Sequence, residues 1–477
     1  MQEDNKETKI KRYYRMPLDT EIIIPSDRIP AKRGGAIEFN IKKEERETGL
    51  ALNIRNRTMP HLEASGKYFL TFTLINRLKD TGVDRDEKCF YQVWFRISAV
   101  DSTECFEHCQ EKPPVLDNDD ERSVRLLYRN ELTFTTGHGC APGWVEGKNK
   151  RAVSISAEVM PVYEIKPIVP ARFDDIRLRM YDMSDYGNTD FMIENLHRIC
   201  SKYAEWIENK EKYVSNEFKE EFYETAVRHI SLCKKCFVRM KDGIKLIETD
   251  DRVRRAFMLM NRAMLSQQIR YGLNLRKWKK QDKNDFTVAG VREPDLHSPS
   301  TWPDFSHDKK INTRYGSWRP FQIAFILMNI PSIADPFNRE RGTVELLWFP
   351  TGGGKTEAYL GLTAFSIFLR RLNDQDDEGT SVLMRYTLRL LTAQQFQRAA
   401  SLICACEKIR MENIAELGEK RITLGLWVGS GLTPNKIQDA VTAFNKLTSG
   451  QPSENPFIIL KCPWCGAQMG FLKESGR

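Results

Sequence analysis

The chain has 477 residues, 41% hydrophobic and 29% charged, a balance that fits folded globular protein and excludes wholesale disorder. At roughly 150 residues per domain there is room for about three domains. Lys and Arg exceed Asp and Glu by 73 − 65 = 8, a mild basic excess that admits an anionic partner without requiring one. Apolar runs such as Ile323–Met328 are far too short to span a bilayer, so no membrane partner is expected. Residues 1–12 lack the apolar core of a secretory signal, and eleven cysteines, an odd number, fit a reducing compartment. A cytoplasmic location is expected.

In chain order, residues 1–165 read as a β-rich domain. Thr20–Ile24, Tyr68–Ile75, Phe90–Ile97 and Ala152–Val159 are rich in β-branched and aromatic residues, with polar stretches such as Lys42–Gly49 and Lys79–Lys88 between them. Three prolines within residues 161–171 mark a boundary. A helical domain over 172–285 follows. Ile193, Leu196, Ile199, Cys200, Tyr203 and Ile207 form one apolar stripe at spacings of three and four; Phe218, Phe222, Ala226, Val227 and Ile230 form a second; Phe257, Met260, Asn261 and Met264 form a third. The polar residues beyond 273 hold Pro294, Pro299 and Pro303, with a linker over 286–316.

Residues 317–477 alternate. A helix over Phe321–Asn329 precedes a strand over Val344–Phe349 and a glycine turn. A helix over Glu357–Leu369, a loop over Asn373–Gly379, a strand over Ser381–Tyr386, a helix over Thr392–Leu417 and a strand over Ile422–Val428 follow. That order predicts a parallel, doubly wound sheet. The expected fold class is mixed α and β in several domains, with an incomplete RecA-like P-loop domain last.

The sharpest motif is Phe349-Pro-Thr-Gly-Gly-Gly-Lys-Thr356, between an expected strand and an expected helix. Glycines let backbone N–H groups wrap an anion, Lys355 supplies charge for the β and γ phosphates of ATP, and Thr356 can reach Mg²⁺. The helix N-terminus adds its dipole and free donors. Thr351, Gly352, Gly353, Gly354 and Glu357 complete the candidate cofactor-binding set, with Lys355 and Thr356 as the catalytic candidates. Phe349 departs from the usual Gly or Ala at the first position.

Upstream lies Trp318-Arg-Pro-Phe-Gln322 and downstream Arg385-Tyr-Thr-Leu-Arg-Leu-Leu-Thr-Ala-Gln-Gln395. With these neighbours the sequence resembles superfamily 2 helicases, which carry Arg-x-x-Gln before the loop and Thr-x-Arg-x-Leu-x-x-Gln after it. The resemblance implies that Gln322, helped by Arg319, recognises adenine, and that Thr387, Arg389 and Gln394 lie on the nucleic-acid track. A hydroxyl, a guanidinium and a helix N-terminus can hold a phosphate without reading bases.

Four strings narrow the resemblance: Gly137–Trp144, Ala256–Met264, Leu347–Leu362 and Met384–Thr392. In this order they are similar to the helicase subunits of DISARM anti-phage defence systems. That implies a bacterial, ATP-driven DNA translocase working with a partner subunit.

Hydrolysis also needs an acidic pair beside the loop, the Asp for Mg²⁺ and the Glu for water. Asp-Glu occurs at 86–87 and 377–378, both in polar segments rather than after a buried strand. With no second motor domain in view, the chain is expected to be the N-terminal, truncated part of a longer helicase, binding ATP and DNA without completing turnover. A non-enzymatic DNA- or partner-binding relative and an RNA-dependent helicase of the same superfamily are the alternatives.

Cys462-Pro-Trp-Cys-Gly466 is a knuckle of the kind that gives two thiolates to Zn²⁺, and Cys462 and Cys465 are the metal candidates of an incomplete site. His229, Cys233 and Cys236 share one helix face and read as buried thiols rather than ligands. Cys105, His108, Cys109, His138 and Cys140 read as structural, as do the glycines around His138. Arg276-Lys-Trp-Lys-Lys280 reads as solvated linker.

Overall fold

The computed structural model describes residues 14–80, 82, 85–109, 118–162, 168–218, 222–282, 285–288, 294–297, 316–349, 352–386, 389–429, 433–451, 455 and 458–469, and leaves out the side chains of 61, 85, 280–282, 285–286 and 389–393. It divides into two compact units, Met1–Ile165 and Lys166–Arg477. Helices and small antiparallel sheets make the protein mixed α and β.

In the first unit, β1 (Ala36–Lys43), β2 (Arg46–Asn56) and β3 (Leu70–Asn76) form one antiparallel sheet in that order, with a short helix α1 (Pro60–Glu63) before β3. The turn between β1 and β2 is Glu44-Glu45, both at positive φ (50° and 64°), a hairpin geometry usually built from Asn and Gly. The expected polar break at Lys42–Gly49 is thus mostly strand. A second sheet has the order β4 (Phe95–Ser98), β6 (Ala152–Glu158), β5 (Ala141–Glu146), and helix α2 (Asp119–Leu127) precedes β5. Ile41, Leu50, Ala51, Ile54, Leu126, Phe134, Ala141 and Ala152 are the buried apolar residues. Thr20–Ile24, expected as a strand, lies outside any strand.

The second unit opens with three long helices, α3 (Thr189–Glu217), α4 (Tyr223–Thr249) and α5 (Asp251–Tyr271); the first and third expected stripes lie within α3 and α5, whereas of the second Phe218 ends α3, Phe222 precedes α4 and only Ala226, Val227 and Ile230 lie in a helix. Asn188 caps α3 by accepting from Phe191 N–H at 3.0 Å. Asp250 ends α4 and caps α5, accepting from Arg252 and Val253 N–H. Helix α5 is buried nearly all round, from Val253 to Ile269, which marks it as the centre of the core rather than a surface helix.

Around it lie α6 (Pro320–Ala334), α7 (Lys355–Asn373) and α8 (Arg389–Glu412), followed by α9 (Ile414–Leu417) and α10 (Ile437–Thr448). Helices α7 and α8 pack on α5, and α4 packs on α3 and α6. At Gly243 of α4 a Cβ would lie 2.1 Å from the Leu327 carbonyl of α6, so the two helices meet backbone to backbone. The polar stretch after α5 carries a hairpin, β7 (Trp278–Asp282) and β8 (Asp285–Val288).

The expected parallel sheet does not form among the described residues. Val344–Phe349, Ser381–Tyr386 and Ile422–Val428 are assigned to no strand and pair with no neighbour there. Strand-like alternation survives: Glu345, Leu347 and Phe349 are half-buried, while Val344, Leu346 and Trp348 are 93%, 84% and 72% exposed. Glu345 turns inward to pair with Arg239 of α4. Each segment thus has one side on the helices and one bare, with Leu383 and Trp427 also exposed.

Candidate functional site

The glycine loop enters α7 through two left-handed residues, Gly352 (φ 79°) and Gly354 (φ 91°), a conformation L side chains resist. Gly354 is the N-cap of α7. Its carbonyl accepts from Gln322 Nε2 at 2.7 Å, and the Gly353 carbonyl accepts from Arg319 Nη1. Gln322 Oε1 accepts in turn from Arg319 N–H at 2.8 Å, closing a capping box at the start of α6. A Cβ at Gly354 would lie 2.7 Å from Gln322 Nε2. In a trans peptide the carbonyl and the next N–H point opposite ways, so holding these two carbonyls toward Arg319 and Gln322 aims the N–H groups of Gly354 and Lys355 away from them. The result is a donor cradle continuous with the open end of a helix.

Lys355 Nζ donates to the Phe349 carbonyl across the loop. The Phe349 ring stacks on Phe321 at 4.3 Å between centroids and 9° between planes. The residue that departs from the motif therefore ties the loop to α6. Thr356 is half-buried in the first turn of α7, and Thr351 lies outside the described residues. The candidates Arg319, Gln322, Gly352, Gly353, Gly354 and Lys355 stand together.

Position is set from the core. Trp318 is buried, its indole Nε1 donates to Asn261 Oδ1 at 2.7 Å, and its N–H donates to the Leu178 carbonyl at 2.8 Å. Asn261 Nδ2 donates to the Phe257 carbonyl at 2.8 Å. Gly361 of α7 leaves room for the same indole, since a Cβ there would lie 2.8 Å from Trp318 Cη2. The Ala256–Met264 string thus holds the element that holds the loop.

On the other flank, Glu357 pairs with Arg398 of α8. Gln394 is exposed on α8, Arg389 begins that helix with its side chain outside the described set, and Thr387 lies outside the described residues. The Asp-Glu pairs stand elsewhere. Asp86 and Glu87 belong to the first unit. Asp377 is held by Arg370, whose guanidinium keeps its carboxyl below the usual range, and Glu378 pairs with Lys420 at 3.6 Å. Arg370 is at the far end of α7, 15 residues or roughly 22 Å along the axis from Lys355.

The knuckle is built. Cys462 N–H donates to the Ala467 carbonyl at 2.7 Å, Gly466 N–H donates to the Cys462 carbonyl at 3.0 Å, and Lys461 bridges to Gln468. Gly466 has φ 77°, and a Cβ there would lie 2.6 Å from the Asn274 carbonyl. Arg276 N–H donates to the Gly466 carbonyl, Trp278 Nε1 to the Gln468 carbonyl, and Lys461 Nζ to the Leu273 carbonyl. The Arg270 guanidinium lies 3.7 Å from the centre of the Trp464 ring. The start of the basic stretch Arg276–Lys280 is therefore a docking edge, not solvated linker. Burial raises the pKa of Cys404 on α8, and the nearby Cys462 and Cys465 add to the effect. Among the described residues no three His, Cys, Asp or Glu side chains are placed to hold a metal ion, so a zinc donor set is not complete there.

That holds also for His229, Cys233 and Cys236, where burial raises the pKa of the Cys236 thiol and lowers that of His229. Among the described residues Cys105, His108, Cys109, His138 and Cys140 are not part of any group of three His, Cys, Asp or Glu side chains placed to hold a metal ion. Gly137 and Gly139 serve a turn: a Cβ at Gly137 would lie 2.0 Å from the Cys140 carbonyl, and Gly139 has φ 74°. Sequence reasoning missed Asn261, Arg398 and the docking of the knuckle. A polar Asn inside an apolar helix was the one available signal, and for the other two there was none.

No helix among the described residues is long and apolar enough to cross a membrane. No family model matches the chain. It is 30% identical over 366 residues to the DISARM protein DrmA of Bacillus paralicheniformis, a match covering 72% of this chain and 30% of that relative. The chain is related to a protein of that defence system and spans under a third of the relative's length.

Proposed function

We propose that the protein is the ATP- and DNA-binding part of a DISARM-type helicase or translocase acting in anti-phage defence with a partner subunit. The observation that supports this reading is the pair of hydrogen bonds from Arg319 and Gln322 to the carbonyls of Gly353 and Gly354, which points the N–H groups of Gly354 and Lys355 away from those two side chains, the arrangement a phosphate-binding loop needs. Similarity to the DISARM protein DrmA supports the defence role.

The loop fits ATP with Mg²⁺. Its N–H groups and Lys355 would hold the phosphates, the Thr356 hydroxyl would face the metal, and Gln322 with Arg319 would face the adenine edge. Bound Mg²⁺ supplies neutralisation of phosphate charge. Lys355 must exchange the Phe349 carbonyl for a phosphate oxygen, a charge-assisted and stronger acceptor. Thr387, Arg389 and Gln394 would meet phosphodiester groups of one strand. Because no Asp-Glu pair stands at the loop among the described residues, the reading favours binding over turnover by this chain. No step is assigned to zinc at Cys462 and Cys465.

Titration with a fluorescent ATP analogue, with and without Mg²⁺, tests the loop, and Lys355→Ala should abolish binding. ATP turnover that Lys355→Ala abolishes would overturn the binding-only part. Parallel titrations with single-stranded DNA, duplex DNA and RNA separate the DNA reading from an RNA-dependent one.

A further inference from the structure

Phe349 stands where a phosphate loop ordinarily begins with Gly or Ala, and its surroundings give that departure a purpose. The strand leading into such a loop is ordinarily fixed by ladder hydrogen bonds to its neighbours. Here no backbone group of Val344–Phe349 pairs with another backbone group among the described residues. Side chains anchor the segment instead. Glu345 pairs with Arg239 of α4, and the Phe349 ring lies on Phe321 with centroids 4.3 Å apart and planes 9° apart.

The platform under that stack is itself locked. Phe321 lies in the first turn of α6, between Arg319, which donates to the Gly353 carbonyl, and Gln322, which donates to the Gly354 carbonyl. One turn further on, Phe325 is buried and meets Tyr359 of α7 edge-on, with centroids 5.8 Å apart and planes at 79°. The far end of the loop, Gly353 to Lys355, is therefore held by α6 and by the helix it enters. The near end depends on the stack.

Lys355 joins the two ends. Its Nζ donates to the Phe349 carbonyl, so the ammonium stands where the stacked residue places that oxygen. A backbone carbonyl is a neutral acceptor that a phosphate oxygen can outcompete. A lysine already held across the loop has less side-chain freedom left to lose when that exchange occurs.

We infer that Phe349, through its stack on Phe321, positions Lys355 for the β and γ phosphates, supplying the anchorage that ladder hydrogen bonds give elsewhere. The inference deepens the proposed function and rests on that reading. Phe349 is a positioning residue; it acts on the phosphate chain through Lys355.

The test measures affinities of ATP and AMP with Mg²⁺ by competition against a fluorescent ATP analogue, with AMP taken to millimolar concentration. Their ratio isolates what the β and γ phosphates contribute. Phe349→Gly, which restores the residue usual at this position, should lower that ratio roughly tenfold while AMP binds within about twofold of wild type. Phe349→Tyr should keep the ratio. Phe321→Leu should act as Phe349→Gly does, and the double variant should lose no more than either alone, because each removes the same stack. If Phe321→Leu loses cooperative melting, the contrast between Phe349→Gly and Phe349→Tyr carries the test. A merely structural role would lower ATP and AMP affinity in step. That outcome, or a ratio unchanged or raised in Phe349→Gly, overturns the positioning role alone. Wild-type protein that binds neither nucleotide overturns the underlying reading and this role with it.

Discussion

Trp318 and Asn261 make a buried polar contact at the centre of the second unit: the indole N–H meets the amide oxygen at 2.7 Å, and both residues are almost wholly out of solvent. The same indole lies against Gly361 of α7, and Arg319, the next residue, reaches the loop. Core packing and loop geometry are therefore one problem, with consequences for several variants.

Trp318→Phe keeps most of the ring but leaves the Asn261 oxygen unpaired inside the protein. The expected cost is about 1–3 kcal/mol, read as a melting temperature several degrees lower. Asn261→Ala should cost a similar amount. An unchanged melting temperature in both would mean that the contact does not stabilise the unit.

Gly352 and Gly354 separate strain from collision. Both have positive φ, but a Cβ at Gly352 has nothing within 4 Å, whereas at Gly354 it meets Gln322. Gly352→Ala should cost only backbone strain of roughly 1–2 kcal/mol. Gly354→Ala should in addition displace Gln322 and remove nucleotide binding, and calorimetric titration of the two variants should show that difference.

Cys200 is buried, and burial pushes its pKa up to about 11 from 9.0. At pH 8 about one part in a thousand is thiolate, so iodoacetamide should modify the exposed Cys89, Cys105 and Cys140 long before Cys200. The folded form holds this proton more tightly than the unfolded form. Its contribution is complete below pH 9 and is lost as pH rises toward 11, so stability should decline across that window. Mass spectrometry of labelled peptides and melting curves at pH 8 and pH 11 check the two halves.

Arg270→Ala removes the cation from the Trp464 ring and the donor that meets the Trp464 carbonyl at 3.0 Å. The knuckle should loosen by about 0.5–2 kcal/mol, seen as faster alkylation of Cys462 and Cys465 with little change at Cys89. Equal rates in variant and wild type would place the docking energy elsewhere, on Arg276 and Trp278.

What could be read from sequence follows the range of the interaction. Apolar stripes at three and four placed α3 and α5, because one helix face records its own burial. The glycine loop was legible because its backbone demands a residue type. The Glu44-Glu45 turn was not, since glutamates give no sign of positive φ. The seating of Cys462–Gly466 on residues 273–276 joins segments nearly 190 residues apart through backbone groups, which every sequence has. The apolar runs at 344–349, 381–386 and 422–428 signalled strands by their alternation. Alternation records facing, not pairing, and only the facing is present among the described residues.

Of the nine tryptophans, Trp318 is enclosed while Trp348 and Trp427 stand in water on the bare sides of those segments. The protein therefore carries built-in optical probes: emission from Trp348 and Trp427 should be red-shifted and open to iodide quenching, and that of Trp318 blue-shifted and shielded. Anything seated over those indoles would announce itself as a blue shift with lost quenching, without a label attached to the chain.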